Sequence, residues 1–220
     1  MIVALALSYI VVGCKKDDKK EDKKKVEENG LTTEINKIIP DSIVQTMISL
    51  GMPVNRGGNP PTITGTFMCK PFILKASNRP GDAVGSRFAD YEVTFYDQDN
   101  DELTIKLDYV NGPESGSGLG SFIVGSGNNF SVFAEVISSS SGTKATLVNV
   151  LSGELMDDGI HNFHFANFMI DNQGNAQGIW IENGEGRILY DSDSISEITS
   201  GKKKAMFDTY KGCSASLSIK

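Results

Sequence analysis

The stretch from Tyr91 to Val110 reads YEVTFYDQDNDELTIKLDYV, two runs of alternating apolar and polar residues around a cluster of Asp, Gln and Asn. In the first run Tyr91, Val93 and Phe95 oppose Glu92, Thr94 and Tyr96; in the second Leu103, Ile105, Leu107 and Tyr109 oppose Thr104, Lys106 and Asp108. Successive side chains of a strand point to opposite faces, so this period of two describes strands with one buried and one wet face. The polar cluster at 97–101 is short enough for a hairpin, which makes the two strands antiparallel neighbours.

The same alternation recurs in Phe130, Val132, Ala134 and Val136, and turn clusters at 126–129, 138–142, 157–159, 172–175 and 183–186 punctuate further apolar runs. About nine strands result, near 62–69, 71–76, 88–97, 102–110, 119–125, 129–137, 143–155, 160–171 and 176–190. The expected fold is mainly β, an antiparallel meander of about eight to ten strands. A barrel is favoured over a two-sheet sandwich because closure removes exposed edges. The glycines at 116, 118 and 120 are read as a flexible loop with strand bulges. Ile38 to Leu50 carries the one helical pattern, started by Pro40 and Asp41 and stopped by Gly51 and Pro53, and is expected to act as a lid or plug.

Composition narrows the function classes. With 23 Gly, 7 Pro and 3 Cys in 220 residues, collagen-like and disulfide-dense classes are excluded. A net charge of −7 and a pI near 4.9 give no electrostatic support for nucleic-acid binding, which needs a basic surface. There are two His residues, no Gly-x-Ser-x-Gly elbow and no phosphate-cradling loop followed by a helix, so no enzyme, cofactor or catalytic residue is assigned.

Met1 to Gly13 is apolar but too short for the roughly 20 residues of a membrane-spanning helix. It reads as the hydrophobic part of a secretory signal whose basic region would lie upstream of Met1. Residues 15–30 then hold seven Lys and six acidic residues around Val26, too little apolar surface to form a core, and read as a disordered tether. The junction Val11-Val-Gly-Cys14 resembles the lipobox of bacterial lipoproteins, which implies lipidation at Cys14. Lys16, Asp17 and Asp18 resemble the export signal of Bacteroidetes-type surface lipoproteins, which implies an outer-membrane anchor facing the cell exterior. Gly65-Thr-Phe67 early in the strands and Arg187 late in them resemble the calycin or lipocalin pattern, in which an aromatic and an arginine pack across the barrel base. The expected division is a signal peptide at 1–13, lipidated Cys and tether at 14–36, a β-rich domain with its helix at 37–198, and a tail or extra strand at 199–220.

Other constellations carry less. His161 and His164 lie three apart on a strand and face opposite ways unless a bulge intervenes, so no metal is assigned. Asp97, Asp99 and Asp101 have the spacing of half a calcium loop, but Glu102 replaces its glycine and Asp108 its closing glutamate, which leaves a hairpin turn. Cys69 and Cys213 are the pair left for a disulfide in an oxidising compartment, with two unrelated buried thiols the alternative. Trp180, placed in a late strand, with Tyr91, Tyr96, Phe163 and Phe165, are the candidates to line a pocket or sugar platform. The expected function is non-covalent binding of a small or oligomeric ligand. The alternative is an interaction or adhesion subunit that grips another envelope or host protein with the barrel surface.

Overall fold

The computed structural model describes residues 25–140 and 143–200. Two helices, α1 (Thr33–Ile38) and α2 (Asp41–Ser49), precede the strands β1 (Gly58–Asn59), β2 (Gly65–Cys69), β3 (Phe72–Ser77), β4 (Tyr91–Asp99) and β5 (Thr104–Asn111). Then follow β6 (Glu114–Ser126), β7 (Asn129–Ser140), β8 (Thr143–Leu155), β9 (Gly159–Asp171), β10 (Gly186–Asp191) and β11 (Ile195–Ser200). The fold is mainly β, as the period-two reading expects.

From β4 to β10 each strand pairs antiparallel with the next, a true meander. The register sets Val93 opposite Tyr109 and Phe95 opposite Leu107, as the alternation requires. β2 and β3 do not pair with each other. They form one bent line: β2 pairs with β4 and β11, and β3 pairs with β10. Because β11 pairs with both β2 and β9, the hydrogen-bonded strands close into a ring. β11 begins within the body and ends in the segment expected as a tail, a closing strand that the turn-like Asp191-Ser-Asp193 ahead of it conceals in the sequence.

Inside the ring the alternate residues pack, with Phe67, Phe95, Phe130 and Phe163 essentially inaccessible to solvent. Burying each such side chain contributes about 2–3 kcal/mol. The strands of the β8–β9 wall are apolar on both faces, and the helices explain why. Leu31, Ile35, Val44 and Met47 pack against Phe133, Val148, Val150, Ala166 and Phe168 on the outside of the ring. The helices are therefore a buttress, and neither is the expected lid or plug. Their packing also moves the start of the folded body ahead of residue 37, since Leu31 and Ile35 are buried.

Local chemistry fixes the helix ends. Thr32 accepts the N–H of Ile35 at the start of α1 (3.1 Å). After α2 the N–H groups of Gly51 and Met52 bond to the carbonyls of Ile48 and Met47, with Gly51 at φ 87°, a left-handed cap that favours glycine.

Candidate functional site

One half of the ring interior is filled and the other half is not. A cavity of about 250 Å³ opens at the end ringed by β5, β8, β9 and β10. Room arises on β6, where Gly116 and Gly118 stand at inward positions paired with Tyr109 and Leu107. A Cβ on Gly116 would lie 2.6 Å from the Tyr109 ring, so the missing side chain lets that ring lie flat over β6. These glycines belong to a strand rather than a flexible loop, and the expected bulge falls among them, where the register with β5 shifts between Gly118 and Ser121.

The floor is aromatic. Tyr91 stacks on Phe72 and Tyr109 with ring centroids 5.3 and 5.6 Å apart, and Phe165 leans on Tyr91 at 5.1 Å. Above it runs a polar row, because the register aligns Asn149, Asn167 and Arg187 on three neighbouring strands. Asn167 Nδ2 donates to Asn149 Oδ1 (2.6 Å), which leaves Asn167 Oδ1 as an acceptor and Asn149 Nδ2 as a donor, neither partnered among the described residues. Across the mouth Asn111 donates to the carbonyl of Ala89 (2.8 Å), and its Oδ1 has no partner among the described residues.

Arg187 is held by a fork. Its Nε and Nη2 donate to the two oxygens of Asp82 at 2.7 and 2.8 Å, and Ser77 donates to the same carboxylate (2.8 Å). The Arg187 hydrogen bond, with help from Ser77 and the charges of Arg187 and Arg79, holds the Asp82 carboxyl below its usual range against the effect of burial. This pair uses one edge of the guanidinium, and Nη1 has no partner among the described residues.

Trp180 overhangs the rim from the loop between β9 and β10. Its backbone is fixed by Asn175, which accepts its N–H (2.9 Å) and donates to its carbonyl (2.7 Å). The strand expected over 176–190 forms only from Gly186 onward, because Gly178 and Gly184 ahead of it take positive φ, outside the extended region. The indole packs beside Leu147 and Met169, and its Nε1 is buried without a hydrogen-bond partner among the described residues. An unmade bond of that kind costs about 1–3 kcal/mol.

Of the sequence candidates, Trp180, Tyr91 and Phe165 line the cavity together. Phe163 lies beneath, 6.2 Å from the Tyr91 ring, and is part of the filled core. Tyr96 is on the outer face, where its hydroxyl donates to Asp108 (3.3 Å), and it takes no part in the cavity. Arg187 does not pack across the base as the calycin pattern implies; Asp82 takes it at the mouth, while Phe67 packs with Phe95 (6.2 Å). Sequence reasoning missed the asparagines, although each interrupts an apolar run, Leu147-Val-Asn149-Val-Leu151 and Phe165-Ala-Asn167-Phe-Met169.

The remaining motifs have local partners. A bulge does intervene between the histidines, at Asn162 with φ 52°, yet each imidazole is separately engaged. His161 meets Asp158 (2.7 Å), and His164 takes the Asn162 carbonyl (2.8 Å) and Lys75 (2.7 Å). Among the described residues no three His, Cys, Asp or Glu groups converge on a metal position. Asp99 accepts the N–H groups of Asp101 and Glu102, a hairpin turn as expected. Cys69 is a buried thiol 3.1 Å from Ser196 Oγ, and burial pushes its pKa well up. Ser196 donates to Asp191 (2.7 Å), a carboxyl pushed up to about 6 chiefly by burial. Cys14, Lys16, Asp17, Asp18 and Cys213 lie outside the described residues. Comparisons with family models, curated proteins and solved structures give no match for this chain.

Proposed function

We propose that this protein is an outer-membrane lipoprotein, exposed at the cell surface, whose β-barrel-like ring of strands binds a small or oligomeric ligand non-covalently in its open end. The observation that carries the binding reading is the cavity: an aromatic floor with a few convergent polar groups is the usual make-up of a small-ligand site. A wholly filled ring would favour the adhesion reading instead. The anchor rests on Cys14 between an apolar run and a charged tether, since acyl chains at that position hold a protein on a membrane.

Trp180 is the one tryptophan of the chain, so its fluorescence reports the rim without labelling. Ring compounds of neutral, anionic and cationic type should include some that shift that fluorescence saturably, and Asn167→Phe, which fills the cavity, should abolish the shift. Binders unaffected by the filling variant, or no binder at all, overturn the site. Cys14→Ala should move the folded domain from the membrane to the soluble fraction. An unchanged membrane fraction overturns the anchor.

A further inference from the structure

We infer that the ligand is a neutral, hydroxyl-bearing ring of monosaccharide size, free or at the end of a glycan, an inference that rests on the cavity reading above. Size comes first. At about 250 Å³ the cavity lies below the roughly 300–1,000 Å³ of sites for drug-sized ligands, so it takes one ring and leaves no depth for a long acyl chain.

Charge comes next. Among the described residues Arg187 is the sole charged side chain lining the cavity, and Asp82 answers it through two hydrogen bonds. Arg79 approaches Asp82 at 3.8 Å from a more exposed position. An anion entering the cavity meets a guanidinium already paired with Asp82, together with the amide oxygens of Asn167 and Asn111, which repel it.

The hydrogen-bonding inventory decides between an apolar and a hydroxylated ring. The unpartnered groups alternate in kind: Arg187 Nη1 and Asn149 Nδ2 donate, Asn167 Oδ1 and Asn111 Oδ1 accept, and Trp180 Nε1 donates from a buried position. A ligand whose groups both donate and accept satisfies such a set, and hydroxyls do both on one atom. An apolar ring would leave these groups dry and unpaired. The flat apolar faces of Tyr91, Tyr109 and Trp180 suit the C–H face of a pyranose.

The test is binding of the full chain to an array of neutral and acidic glycans, followed by titration of the strongest binder by Trp180 fluorescence. The expected result is a neutral glycan whose affinity is insensitive to salt between 50 and 500 mM and falls about tenfold or more in both Arg187→Lys and Asn167→Leu. Lysine keeps the charge but loses the fork, so a neutral ligand loses contacts while an anion retains attraction. Asp82→Asn gives the sign, because freeing the Arg187 charge tightens an anion and does not tighten a neutral sugar. Binding confined to acidic glycans or small carboxylates, tightened by Asp82→Asn, overturns the neutral-sugar class and leaves the cavity reading standing. Neutral-glycan binding that survives Asn167→Phe overturns the class at this site, and absence of any ligand that the filling variant removes overturns both.

Discussion

At the scale of single residues, two buried ionisable groups oppose each other in their response to pH. Burial pushes Asp191 up to about 6 from about 3.9 in an unfolded chain, so the native state holds that proton more tightly. Its contribution to stability is complete below about pH 4 and is lost as pH rises through about 6. His164 has the reverse sign. Burial lowers its pKa, Lys75 adds to this, and the Asn162 carbonyl opposes it, so the neutral ring is the native form. Its contribution is present above about 6.5 and is lost as pH falls through the lowered value. Melting temperatures taken between pH 4 and 7 separate the two: His164→Gln should leave a protein that weakens as pH rises, and Asp191→Asn one that strengthens. The Asp191 slope is worth about 1 kcal/mol after solvent screening. Parallel profiles in the two variants would remove both assignments. Neither environment was visible in the sequence, because a titration depends on which distant strands bring a partner, as β3 brings Lys75 to His164 on β9.

At the scale of elements, legibility follows the number of faces a strand shows to water. β4 and β5 have a polar outer face, so their alternation announces them and their hairpin register. β8 and β9 are covered on the outside by the helices, so Val148, Val150, Ala166 and Phe168 blur the period that would separate inward from outward residues. That is why the inward asparagines went unread. The helix pattern was legible from Asp41 onward, but its docking face was not, since a lid and a buttress need the same amphipathic stripe. The two roles differ in what Met47→Ala does. Met47 is fully buried between α2 and the outer wall, so its truncation should cost about 2–5 kcal/mol of stability. Because the cavity lies on the other side of that wall, ligand affinity at a temperature where the variant is folded should stay within about twofold of the parent. A large loss of affinity with little loss of stability would restore the lid.

At the scale of the whole molecule, the β2 end of the ring is closed by one short strand far away in sequence. β11 has six residues, ISEITS, with little to distinguish them from a polar tail, and its partners are β2, about 130 positions earlier, and β9. Pairing across such a separation leaves no local trace, whereas the meander from β4 to β10 is written in consecutive hairpins. Yet β11 hides the edges of both β2 and the start of β9, Gly159 to His161, and exposed edges recruit other chains. Glu197 isolates this role, since it pairs with Met68 on one side and Gly159 on the other while its side chain is exposed. Glu197→Ala should change the urea midpoint by less than about 0.5 kcal/mol equivalent, as an ordinary surface substitution does. Glu197→Pro removes a ladder donor and crowds the neighbouring strand, so it should cost about 2–4 kcal/mol. The opened edges should also make the proline variant self-associate in sedimentation at concentrations where the alanine variant stays monomeric. A proline variant with the parent's midpoint and a monomeric profile would show that the ring is held shut by its side-chain core, with the β11 ladder contributing little.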